Sequence, residues 1–198
     1  MKGTRWTGSA TASLCWALAG MLALATGART VAAQDAPDRA AAAEVRKQFM
    51  ADLDTLQRKF LALATAFPAE TYAWRPAPGV RSVGEAFMHV ASEFYLYAPL
   101  AYGAKPSPVV VANREALQTF ETMSTKPEAL THLTNGFEYA KRTLAALDPS
   151  ALVGTHQLFG ANRTIVETSF AMTADLHEHL GQLIAYARVN HVTPPWSR

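Results

Sequence analysis

The chain is predicted to fold as an all-α four-helix bundle, and three observations carry that prediction. Val45, Phe49, Leu53, Leu56, Phe60, Leu63 and Phe67 succeed one another at spacings of 4, 4, 3, 4, 3 and 4, the period of a helix that buries one face. Leu130, Leu133, Phe137, Ala140, Leu144 and Leu147 repeat the pattern at 3, 4, 3, 4 and 3. No strand-dominated region, internal repeat or low-complexity stretch interrupts the chain, and its periodic segments are joined by Pro- and Gly-bearing connections. Amphipathic helices so joined bury their stripes against one another.

The 198-residue chain begins with Lys2 and Arg5, then runs without charge to Arg29, and Val31-Ala32-Ala33 comes next. A basic start, an apolar middle and small residues before a cut form the pattern of a secretory signal, expected to span residues 1–33. The apolar run is barely long enough for a comfortable membrane span. The alternative is an uncleaved anchor. Cleavage removes Lys2, Arg5 and Arg29 and no acid, taking 18 basic residues to 15 against 16 acidic ones, net −1. No Lys/Arg block remains to bind nucleic acid. Cys15, the single cysteine, leaves too, so the mature chain has neither a disulfide nor a thiolate site. A periplasmic or extracellular location is expected, with no stable membrane insertion after cleavage.

Residues 34–44 are Ala-rich and polar, a leader into a bundle domain over 45–198. The first helix is expected from about Ala40 to Ala66, ended by Pro68. Residues 68–80 hold three prolines and Gly79, so they form a loop; Tyr72 and Trp74 are large for a loop and should pack over one end of the bundle. Ser82-Val-Gly-Glu85 is a capping box that opens a second helix reaching Pro99 or Tyr102. Asn113 to Met123 is a short helix or an irregular crossing. Thr125-Lys-Pro-Glu opens the third long helix, with Pro127 in its first turn, and Asp148-Pro149 stops it. Residues 150–163 connect onward as a short hairpin or an extended lid. The last helix runs from about Thr164 to Asn190. The tail after it cannot be helical, and Trp196 should tuck into a groove. Long connections suggest a topology other than simple up-and-down.

The chemistry is expected on the last helix. Asp175 and His179 are four residues apart and share a face. A carboxylate and an imidazole so placed supply two ligands of a divalent metal, and His89 on the second helix supplies a third. His177 lies about 200° around the helix from that face and should point away. Glu178 belongs to a solvated face, His132, His156 and His191 to surfaces or connections, and Gly181 to a close helix approach.

Two stretches resemble a known family. Trp74-Arg-Pro, Val80-Arg-Ser-Val-Gly-Glu85 and His89, together with His179-Leu-Gly-Gln182 and Tyr186-Ala-Arg188, resemble the DinB-like superfamily, typified by bacillithiol and mycothiol transferases. The resemblance implies a four-helix bundle whose pocket holds a divalent metal on three histidines. His89 matches the first position and His179 the last, while Asp175 stands where a histidine is usual. That change makes the site harder and richer in oxygen, shifting it from soft metals toward Zn, Ni, Mn or Fe, or else it marks loss of the metal. The implied activity is that of a metal-dependent hydrolase or transferase acting on an unidentified small molecule. The alternative is a non-catalytic metal- or ligand-binding bundle, or a dimerising structural module; a homodimer fits either. The sequence contains no serine-nucleophile elbow, phosphate loop or nucleotide motif.

Overall fold

The computed structural model describes residues 39–109, 113–158 and 160–197. The expected signal segment and the start of the leader lie outside them. Five helices form the body: α1 (Arg39–Ala66), α2 (Val83–Tyr102), α3 (Arg114–Thr122), α4 (Lys126–Ala146) and α5 (Ile165–Val189). None of the described helices is long and apolar enough to cross a membrane.

The apolar stripes become the core. Leu53, Leu56, Phe60 and Leu63 of α1 and Leu133, Phe137 and Leu144 of α4 are fully buried, with Phe87, Val90 and Phe94 of α2 and Leu176 and Leu183 of α5. Helices α1 and α2 each pack on both α4 and α5, so α1 and α2 occupy opposite corners. The successive pairs α1–α2 and α4–α5 are therefore diagonal while α2 and α4 are neighbours, which is the departure from simple up-and-down order that the long connections suggested. Helix α3 adds a fifth piece against α2.

Side chains set the helix starts. Capping boxes join Ser82 to Glu85, Thr125 to Glu128 and Thr164 to Glu167, each satisfying two N–H groups that the first turn leaves open. Lys126 donates to the carbonyls of Thr65 and Phe67, both at 2.7 Å, which closes the end of α1 with a cation. The stretch after Asn113 is a true helix, opened by Asn113, whose side chain accepts from the Ala116 N–H at 2.9 Å.

Residues 68–80 contain one short 3-10 turn, Ala69–Ala73, within the expected loop. Tyr72 is buried there and donates to the Ala64 carbonyl at 2.7 Å. The connection after α4 is a 3-10 turn (Pro149–Val153) and a two-stranded antiparallel hairpin, β1 (Thr155–Leu158) with β2 (Ala161–Thr164).

One expectation about packing needs correction. Gly181 faces open space: a methyl there would meet nothing within 4 Å. The close approaches fall at Gly84, where a methyl would sit 2.1 Å from the Ser124 carbonyl oxygen, and at Gly136, 2.9 Å from the Phe94 ring. Trp196 lies with Pro195 in a shallow groove lined by Thr55, Arg58, Lys59 and Ala62 of α1, as expected, with the Lys59 ammonium 5.7 Å from its ring centroid.

Candidate metal centre

Helices α2 and α5 place their functional side chains at one level of the bundle. His89 comes from the second turn of α2, and Glu93 stands one turn further on the same face. His179 comes from α5, and its ring lies 4.8 Å from that of His89, nearly perpendicular to it. His89 Nε2 is 3.3 Å from Glu93 Oε1, and His179 Nε2 is 3.7 Å from the same oxygen. Donor atoms of His89, Glu93 and His179 all lie within 4.8 Å of one another, a span that one cation can bridge.

Asp175 stands beside this trio. Its Oδ2 is 3.8 Å from His179 Nε2, and its side chain is 43 % exposed, against 16 % for both imidazoles and 8 % for Glu93. Burial first, and then a hydrogen bond and charge from Asp175, push the Glu93 carboxyl up to about 10. Glu93 Oε2 is buried and has no hydrogen-bond partner.

The Nδ1 edges are held from behind. His89 Nδ1 donates to Glu121 Oε1 at 2.7 Å. Arg81 grips the same carboxylate twice, Nε to Oε2 at 2.9 Å and Nη2 to Oε1 at 3.1 Å. Burial alone would raise Glu121, but hydrogen bonds from His89 and Arg81 outweigh it and hold the carboxyl below its ordinary value. His179 Nδ1 lies 3.1 Å from Gln182 Oε1, and Gln182 Nε2 donates to the Tyr186 hydroxyl at 2.9 Å. Both rings thus turn Nε2 inward, toward Glu93. A carboxylate or amide behind a histidine is the usual support of a ligating imidazole.

A cavity of about 530 Å³ opens beside Arg81, Gln118, Glu121 and Gln182. It borders the groups that hold the Nδ1 edges and not the donors themselves, so it lies behind the imidazoles.

The remaining candidate residues stand apart from the cluster. His177 faces out and pairs with Asp52 at 3.1 Å, and Glu178 is exposed. His132 is half-buried against Phe120, with rings 4.8 Å apart, and Tyr95. His156 approaches Thr168 Oγ1 at 3.3 Å, away from the cluster. Sequence reasoning missed Glu93, Glu121 and Arg81. A signal existed for Glu93: α2 carries only two charges, the capping Glu85 and Glu93, and the second lies four residues after His89. Glu121 and Arg81 reach the site through tertiary packing; Arg81 stands inside the stretch Val80–Glu85 that carries the resemblance, but nothing in that stretch gives it a role, and nothing local marks Glu121.

A diagonal helical bundle with two imidazoles and a buried carboxylate converging from facing helices defines a class: a bundle with a potential metal site built between its helices. The family model for the DinB superfamily matches residues 52–183, and the chain belongs to that superfamily. The match takes in His89, Glu93, Asp175 and His179. A comparison with curated proteins found no match.

Proposed function

We propose that the protein is an exported metal-dependent enzyme, a hydrolase or transferase, in which His89, Glu93 and His179 hold one divalent cation beside Asp175. The observation that carries this reading is the convergence of three donors around a buried carboxyl with one oxygen unpartnered. An unpaired polar atom at that depth is costly to a fold, and a cation among the three side chains would satisfy it. The donors fit such an ion: two neutral imidazoles and one or two carboxylates suit Zn, Mn, Fe or Ni, and no thiolate is present to favour softer metals.

Three protein ligands leave open positions, and a cation held this way polarises a substrate oxygen or brings a bound water to ionise near neutrality. The chain's own residues do the rest. Glu121 and Gln182 keep both Nε2 lone pairs turned inward. Asp175, the most exposed of the acids at the cluster, completes the ligand set or accepts a hydrogen bond from an incoming substrate. Export rests on Lys2 and Arg5, the uncharged run after them and Val31-Ala32-Ala33; N-terminal sequencing of the protein recovered from the producing cell tests it, with cleavage after Ala33 expected.

The metal reading is tested by elemental analysis of residues 34–198, prepared without a histidine tag, beside His89→Ala, Glu93→Gln and His179→Ala. About one equivalent of a transition metal in the parent, lost or strongly reduced in all three variants, is the expected result. A parent that takes up no zinc, manganese, iron or nickel after reconstitution overturns it. Stoichiometric metal without turnover on ester, amide or thiol-transfer substrates favours the second reading, a metal-binding bundle without catalysis.

A further inference from the structure

We propose that Arg81 sets the tautomers of both imidazoles, through its guanidinium for His89 and through its backbone carbonyl for His179. The purpose of such control rests on the metal reading above, but the relay is a property of the chain and can be tested without metal.

The direction of each hydrogen bond decides where the protons sit. On one branch, Arg81 occupies both oxygens of Glu121, at 2.9 and 3.1 Å. An ionised carboxylate only accepts, so the 2.7 Å contact from Glu121 Oε1 to His89 Nδ1 requires the proton on Nδ1. On the other branch, the Arg81 carbonyl can only accept, and the Tyr186 hydroxyl donates its one proton to it at 3.3 Å. The Tyr186 oxygen then receives the Gln182 amide at 2.9 Å. That fixes which way the Gln182 amide points and turns its Oε1 toward His179 Nδ1, 3.1 Å away. His179 must therefore also carry its proton on Nδ1. Two relays leave one residue in opposite directions and end in the same tautomer, each with the Nε2 lone pair free for a ligand. An imidazole in water prefers the opposite tautomer, so the arrangement is imposed.

The sequence places Arg81 where both branches can start. Gly79 turns the chain at φ +79°, and Ser82 immediately caps α2. The Val83 N–H donates to the Trp74 carbonyl at 3.0 Å, which closes the loop on itself. The Trp74 ring meets Tyr186 edge to face at 5.3 Å and holds the phenol against the loop. Arg81 is thereby caught between α3, which offers Glu121, and α5, which offers Tyr186. It is a positioning residue, acting on the donors through others.

The test is the imidazole nitrogen spectrum of metal-free protein labelled with nitrogen-15 histidine, at a pH where the rings are neutral. Arg81→Met keeps the aliphatic stem and the backbone carbonyl, and Tyr186→Phe keeps the ring. The wild type should show His89 and His179 both protonated on Nδ1. Arg81→Met removes both bonds that hold Glu121 against His89, so the carboxylate should turn away and release His89 while His179 stays in place; Tyr186→Phe should release His179 and leave His89. Each variant should also lose about 10–100-fold in zinc affinity, the usual cost of removing such support. An Nε2-protonated ring in the wild type overturns the proposal, and so does a variant that disturbs both rings alike, since that is general loosening. If the crossed pattern holds while the wild type binds no zinc, the metal reading fails and the assignment to Arg81 stands.

Discussion

Glu93 should weaken the metal-free fold and strengthen the metal-bound one. The side chain is 8 % exposed, and burial together with the neighbouring Asp175 raises its carboxyl far above the ordinary 4.5. At neutral pH the folded chain therefore holds a proton that the unfolded chain has released. Each pH unit between 4.5 and neutrality adds about 1.4 kcal/mol, so keeping that proton costs at most about 3.5 kcal/mol at pH 7. Buried unpaired polar groups cost about 1–3 kcal/mol in mutational series, which agrees. The sign comes from the raised value: the fold is unpenalised below the unfolded-state value and loses stability as pH rises above it. Glu93→Gln keeps the volume and cannot ionise. Urea unfolding with chelator present, monitored by helical circular dichroism, should find the variant more stable than wild type by about 1–3 kcal/mol at neutral pH. The gain should shrink toward zero as pH falls to about 4.5. Excess zinc should reverse the order, because a ligand of the native state stabilises in proportion to its affinity and the variant binds less. A variant no more stable than wild type without metal, and equally stabilised by zinc, would refute the reasoning and make Glu93 an ordinary core residue.

Other outcomes can be read by simpler means. Gly181→Ala should raise the unfolding free energy measured in urea by about 0.5–1 kcal/mol, since a methyl there meets nothing and alanine is the better helix former. Gly84→Ala should lower it by about 1–3 kcal/mol, because the 2.1 Å approach to the Ser124 carbonyl forces backbone apart. Hydrogen bonds from Thr125 and Thr164 hold Glu128 and Glu167 below their ordinary values, so the support from these caps is present above the unfolded-state value and lost as pH falls through the lowered one. The Glu128→Gln, Glu167→Gln double variant should accordingly show a flatter loss of melting temperature on acidification below about pH 5. His177→Ala should leave metal content unchanged and cost less than about 1 kcal/mol, since its pairing with Asp52 is exposed.

The parts of this protein that could be read ahead of the structure are those governed by local rules. The stripes of α1 and α4 come from period alone, the start of α2 from a four-residue cap, and the outward turn of His177 from helix geometry. The misreading of Gly181 and the omission of Glu93 have a common physical origin in contacts between residues distant in sequence. Gly181 sits in a motif that invites a packing role, yet the helix that approaches closely does so at Gly136, and nothing in either glycine's neighbours says which faces a partner. Asp175 drew attention because it lies one turn from His179. Glu93 lies one turn from His89 by the same rule, and it is the carboxylate that the structure brings within reach of both rings. What separates the two acids is burial, 43 % exposed for the Asp175 side chain against 8 % for Glu93. Burial depends on where α2 and α5 face each other. Glu121 and Arg81 are the extreme case: the packing of the short helix α3 on α2 delivers the Glu121 carboxylate to His89 across 32 positions of sequence. A chemical site assembled this way has donors that spacing can nominate and supports that only the assembled bundle identifies. The first substitutions to make are therefore at Arg81, Glu121 and Tyr186, where a loss of metal affinity would measure the contribution of packing rather than of ligation.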